Sequence, residues 1–181
     1  MLPRCRFIAS PHHDRRPDNE NISLFVIHNI SLPPDRFGGD DIIALFTGRL
    51  DTSRAEYRDL AGLRVSAHYL IRRDGELIQF VPLARRAWHC GISNWRGRER
   101  CNDFSIGIEL EGTDDTPFTD MQYATLNQLL AELHQRWPQA ELAGHSDIAP
   151  GRKTDPGPCF DWSRVRSAVS TDLPVFLHRS S

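Results

Sequence analysis

Apolar and polar positions alternate along this chain with changing period, and each change marks an element. Ser23 to Ile30 (SLFVIHNI) is a short β-branched and aromatic run, apolar on both faces, which predicts a central buried strand. Pro33-Pro34 ends it and Gly38-Gly39 marks a loop. From Asp40 to Leu50, Ile42, Ile43, Leu45 and Phe46 fall at helical spacing. Arg64 to Arg73 and Glu76 to Val81 flank Asp74-Gly75 and predict a hairpin closed by a type I′ turn. Ser105 to Glu111 (SIGIELE) alternates, with Ile106, Ile108 and Leu110 on one face and Gly107, Glu109 and Glu111 on the other. Thr119, with Gln122 three residues on, forms a capping-box signal before Tyr123, Leu126, Leu129, Leu130 and Leu133, which keep the 3.6-residue period until Pro138. Asp161 is placed to cap a last short helix near Trp162 to Val169. Residues 1–20 are polar and read as an extended entry segment. Strands interspersed with helices, and including a hairpin, predict an α/β domain with a central mixed β-sheet flanked by helices.

Composition narrows the function classes. A length of 181 residues fits one compact domain, and a net charge of −2 offers no global basic field for nucleic acid. The N-terminus has no h-region of a signal peptide and no segment has the length of a membrane span, so a cytoplasmic protein without a membrane partner is expected. Cys5, Cys90, Cys101 and Cys159 show no C-x-x-C pairing and read as free thiols.

The eight histidines carry the candidate chemistry. His12, His13 and His178 lie in polar terminal segments and are expected to be solvated, and His134 sits on the long helix in a structural role. His28 shares a strand face with Leu24, Val26 and Ile30 and, if buried, needs partners for its ring nitrogens. It is either a core histidine bonded to a carbonyl or a ligand. A second cluster, GHSDIAPGRKTDPG at 144–157, combines an imidazole, carboxylates and cations in a loop fixed by Pro and Gly. If it runs extended, Lys153 and Asp155 point to the same side, either as an ion pair or as a metal carboxylate beside a substrate-facing lysine. Two histidines, a carboxylate and water form a known class of catalytic zinc site. Such chemistry needs a general acid/base. Glu109 is the best candidate, although Glu111 shares its face and strand geometry does not separate them. A rim rich in Arg, Trp and Asn runs from Arg85 through Trp88 and His89 to Asn102, and suits carboxylates and sugar faces.

With these residues in hand, the chain resembles the AmpD-type N-acetylmuramoyl-L-alanine amidases from about Ser10 to Trp162. The matching blocks are VIHNISLPP at 26–34, FGG at 37–39, LFTGRLD at 45–51, RVSAHYLIRRDG at 64–75, RAWHCG at 86–91, RERCNDFSIGIELEGTD at 98–114, and GHSDIAP followed by RKTDPG at 144–157. The resemblance implies a fold like that of peptidoglycan recognition proteins and phage lysozyme-type amidases, in one zinc amidase domain over 1–181 with its core at about 10–170. It implies Zn2+ held by His28, His145 and Asp155, with Glu109 as catalytic carboxylate and Lys153 stabilising the transition state. The implied substrate is a small soluble anhydro-muropeptide, cut between lactyl group and L-alanine during cell-wall recycling, with a lower signal for β-lactamase induction as the result. On the same analogy Asn29, Arg64, Trp88, His89 and Arg100 contact substrate, and His68 supports the site without binding metal. Cys90, after the Trp-His pair, departs from the small residue often found there. A monomer is expected, because no exposed apolar stripe calls for a partner. Three rivals remain: an amidase acting on intact wall polymer, a peptidoglycan-binding module without activity, and a closed structural zinc site with Cys159 as fourth ligand.

Overall fold

The computed structural model describes residues 4–166. Its strands are β1 (Cys5–Phe7), β2 (His13–Arg15), β3 (Leu24–Ile30), β4 (Tyr69–Ile71), β5 (Leu77–Gln79), β6 (Arg85–Ala87), β7 (Asn94–Trp95), β8 (Arg98–Glu99), β9 (Ser105–Glu111) and β10 (Glu141–Gly144). The helices are α1 (Asp41–Phe46), α2 (Asp120–Arg136), α3 (His145–Ile148) and α4 (Ser163–Arg166). A six-stranded sheet runs in the order β1-β5-β4-β9-β3-β10. It is mixed: β4 pairs antiparallel with β5, while β4, β9, β3 and β10 are parallel.

The two periodicities meet in the core. On one side of the sheet, Phe25, Ile27, Ile106, Ile108 and Leu110 pack against Tyr123, Leu126, Leu129, Leu130 and Leu133 of α2. On the other side Leu24 and Val26 meet Phe104, Ala143 and Ile148, and Leu70 and Ile78 meet α1. Every residue of β9 is buried, so neither glutamate on its polar side faces solvent.

The capping box opens α2 as expected. Gln122 N donates to Thr119 Oγ1 at 3.1 Å and Thr119 N donates to Gln122 Oε1 at 3.0 Å. The Thr119 hydroxyl also donates to Arg73 O at 2.7 Å and ties the helix to the hairpin. Thr119→Ala is therefore expected to cost about 1–2 kcal/mol, read as a fall of a few degrees in melting temperature. An unchanged melting temperature would show that the cap contributes nothing.

The hairpin is present but its turn differs from the sequence reading. A type I′ turn needs positive φ at both central residues. Here Gly75 has φ +84°, whereas Asp74 is not in the positive region. Gly75 N donates to Arg72 O, and Arg72 N donates to Glu76 O. This is a three-residue loop with its glycine in the left-handed position, the next most common hairpin closure.

The entry segment is also more structured than its polarity suggests. β1 pairs with β5 at the sheet edge, and β2 pairs antiparallel with β6. His12, expected in solvent, is buried, with Nδ1 3.0 Å from Val65 O and its ring stacked on Trp88. His13 is half-buried, with Nδ1 3.4 Å from Arg85 Nε. His134 keeps the structural role expected of it, its two nitrogens 3.0 Å from Leu130 O and 3.1 Å from Ala140 O. The Asp161 carboxylate accepts from Ser163 N at 2.9 Å at the start of α4. The expected continuation to Val169, and His178, lie outside the described residues.

Candidate active site

The parallel ladder brings the first two candidates together. His28 of β3 is the direct register partner of Glu109 of β9, so both side chains leave the same face of the sheet near the carboxyl ends of parallel strands. Ligand sites in open α/β sheets collect at that edge. His145 is delivered by β10, the neighbour of β3, as the first residue of α3, and Asp155 by the loop that follows.

His28 Nδ1, His145 Nδ1 and Asp155 Oδ2 form a triangle with sides of 3.0, 3.0 and 3.1 Å. Donor chemistry shows what this triangle fits. His145 Nε2 lies 3.0 Å from Cys90 O. A carbonyl can only accept, so Nε2 carries a proton, and in that tautomer of the imidazole the Nδ1 lone pair faces the Asp155 carboxylate. Facing lone pairs need a shared cation between them. Ligands about 2.0–2.1 Å from a tetrahedral zinc stand roughly 3.3–3.4 Å apart, close to the sides observed. Burial lowers the pKa of His28 to about 4, against the opposing pull of Asp155. Burial pushes the Asp155 carboxyl up, but the two imidazole nitrogens beside it outweigh burial and leave the group well below the usual carboxylate range. Among the described residues these three form the only group of His, Cys, Asp or Glu able to hold a metal, and Cys159 is not a member.

The triangle lies at one wall of a cavity of about 600 Å³, which Asn29, Trp88, His89, Glu109 and Lys153 also line. Glu109 Oε2 is buried and has no hydrogen-bond partner. Burial, and then the Asp155 charge, raise its pKa well above the ordinary carboxylate value, with Lys153 opposing. Glu111 is different. Its carboxylate accepts from Gly38 N at 2.7 Å and Arg73 N at 3.1 Å, and pins two loops. The structure thus separates two glutamates that the strand pattern left equivalent.

The other residues expected at the site are dispersed. Asn29 Nδ2 donates to Asp114 Oδ1 at 2.7 Å and Pro156 O at 3.1 Å, and so anchors the loop carrying Asp155. His68 Nδ1 accepts from Gly107 N at 3.0 Å, and its Nε2 donates to Arg85 O at 3.1 Å, away from the triangle. Arg64 is exposed and does not line the cavity. Arg100 has φ +60°, pairs with Asp103 at 3.2 Å, and borders a neighbouring cavity of about 520 Å³ with Ile92 and Pro150. His89 lines the main cavity, but its Nδ1 sits 2.9 Å from His28 Nε2.

Three further residues support the site in ways that sequence reasoning did not assign, although Asn102 and Arg152 fell within its rim and loop clusters. Arg152 Nη2 donates to Cys90 O and Ile92 O, both at 2.6 Å. Asn102 Oδ1 accepts from His89 N and Cys90 N at 3.1 and 2.9 Å. Arg16 is buried and donates to the carbonyls of Leu83, Asn102, Asp103 and Ser105. Its position in a polar, proline-flanked segment gave no signal of this.

A polar cavity with a buried, unpartnered carboxyl at the carboxyl end of a parallel ladder has the features of an enzyme active site. Comparison with known families is more specific: the N-acetylmuramoyl-L-alanine amidase family matches residues 18–158, and the chain belongs to it. The chain is 58% identical over 172 residues to the 1,6-anhydro-N-acetylmuramyl-L-alanine amidase AmpD of Citrobacter freundii, a match covering 93% of this chain and 92% of that protein. It is similar to the crystal structure of a selenomethionine derivative of AmpD, with a TM-score of 0.90, 57% identity and coverage of 94% of this chain and 97% of the other. It is also similar to Escherichia coli AmiD in complex with the substrate anhydro-N-acetylmuramic acid-L-Ala-D-γ-Glu-L-Lys. That match has a TM-score of 0.60, 30% identity and coverage of 85% of this chain and 60% of the other. No helix among the described residues is long and apolar enough to cross a membrane.

Proposed function

We propose that this amidase hydrolyses the bond between the lactyl group of 1,6-anhydro-N-acetylmuramic acid and L-alanine in small soluble muropeptides, using zinc held by His28, His145 and Asp155. The observation that carries the reading is the triangle of two imidazole nitrogens and a carboxylate oxygen beside the unpartnered Glu109 carboxyl. The identity to AmpD over nearly the whole chain supports the substrate. Zinc bound there supplies Lewis acidity and lowers the pKa of a water toward neutrality. Glu109 takes the proton from the attacking water and returns it to the departing alanine nitrogen. The Lys153 ammonium at the cavity wall stabilises the negative charge that develops on the carbonyl oxygen. Trp88 at the cavity wall faces the sugar.

The enzyme acts in the cytoplasm as a monomer in cell-wall recycling, with no nucleic-acid or membrane partner, and its turnover keeps the muropeptide signal for β-lactamase induction low. Release of peptide from purified anhydro-muropeptide, with and without a zinc chelator, tests the reading. Release that stops with chelator and returns with zinc is expected. A folded, zinc-loaded enzyme that releases nothing would favour a recognition module, and equal turnover of intact sacculi would favour a polymer-acting amidase. Lys153→Met is expected to retain zinc and lose about 10²–10³-fold in kcat, the usual cost of one oxyanion donor. Near-normal turnover would remove the lysine from the mechanism.

A further inference from the structure

We infer that His89 is a positioning residue for the metal ligand His28. The inference rests on the metal reading above. A histidine that binds metal through one nitrogen commonly gives its other N–H to a fixed acceptor, which sets the tautomer and the ring orientation. His145 has such an acceptor in the Cys90 carbonyl. Among the described residues, the hydrogen-bonding neighbour of His28 Nε2 is a second imidazole, His89 Nδ1 at 2.9 Å. With Nε2–H of His28 donating to it, Nδ1 of His28 is left bare and turned toward His145 and Asp155.

The surroundings of His89 allow the state that suits this task. Its Nε2 lies 3.2 Å from Ser105 Oγ, which can accept the proton of that nitrogen and so leaves Nδ1 free to accept. Its backbone N–H is fixed by Asn102 Oδ1. The ring lies against β9 where that strand has no side chain: a methyl group on Gly107 would come within 2.5 Å of it. Gly107 is therefore the vacancy that seats His89, two residues before Glu109 on the same face. The ring edge that closes the cavity wall is thus anchored from behind by the metal site, and Cys90 N and O extend the same support to His145.

The test is competition for zinc against a chelator of known affinity, together with melting of the metal-free proteins. His89→Ala is expected to weaken zinc binding about 10–100-fold. His89→Asn places an amide oxygen near the position of Nδ1 and is expected to recover most of that loss. Gly107→Ala, which leaves His89 in the sequence but evicts its ring, is expected to weaken zinc binding by a similar factor, and to add little when combined with His89→Ala. Wild-type zinc affinity in a folded His89→Ala or Gly107→Ala protein would overturn the inference. So would a loss that His89→Asn does not recover, which would assign the ring to packing. A wild-type protein that binds no zinc would instead remove the metal reading itself.

Discussion

Asp155→Ala is expected to release zinc and abolish turnover together. The carboxylate closes the triangle against both imidazoles, at 3.0 and 3.1 Å, and is the only anion in it. Structural zinc sites bind with about 10–16 kcal/mol. Shared over four ligands, that is roughly 3–4 kcal/mol each, so loss of one weakens binding about 10²–10³-fold. Metal analysis after dialysis should show the wild type near one zinc per chain and the variant near none, and peptide release should fall to background. A variant with full zinc and only a slower rate would show that Asp155 is not a ligand.

Glu109→Gln separates chemistry from metal binding. Gln has the same shape but cannot accept the proton of water, so kcat is expected to fall by about 10²–10⁴-fold with zinc content unchanged. The pH profile supplies a second reading. Glu109 works as a base only when ionised, and its pKa is raised by burial and by the Asp155 charge. Wild-type activity should therefore be lost as pH falls through a value above 4.5, and that acid limb should be absent from the residual activity of the variant. An unaltered rate would move the role to another group, and the partners of Glu111 make that residue a poor substitute.

The sequence pattern made much of this legible, for reasons that differ by residue. The period of β9 and the capping box of α2 are local, and local rules read them. His28, His145, Asp155 and Glu109 stood out by residue type, the resemblance implied their roles, and the folded chain places the four around one cavity. Roles set by distant partners could not be read. Glu111 differs from Glu109 only because the backbones of Gly38 and Arg73 reach it. His12 is buried by Val65, and Arg16 by carbonyls from Leu83 to Ser105. The turn of the hairpin failed for a subtler reason: Asp-Gly suits two closures, and the pairing of Arg72 with Glu76 selects the longer one.

The ladder between β3 and β9 has a consequence for motion. Each of these strands is paired on both sides. Elements of that kind open only when most of the domain opens. His28 and Glu109 sit on one continuous ladder, and exchange of the backbone amides of these two strands is therefore expected to require opening of the sheet. Asp155 and Lys153 ride on a loop between α3 and α4. The two halves of the site thus differ in kind: one is set by the sheet ladder, and the other by a loop that Asn29 ties to β3 through the Pro156 carbonyl.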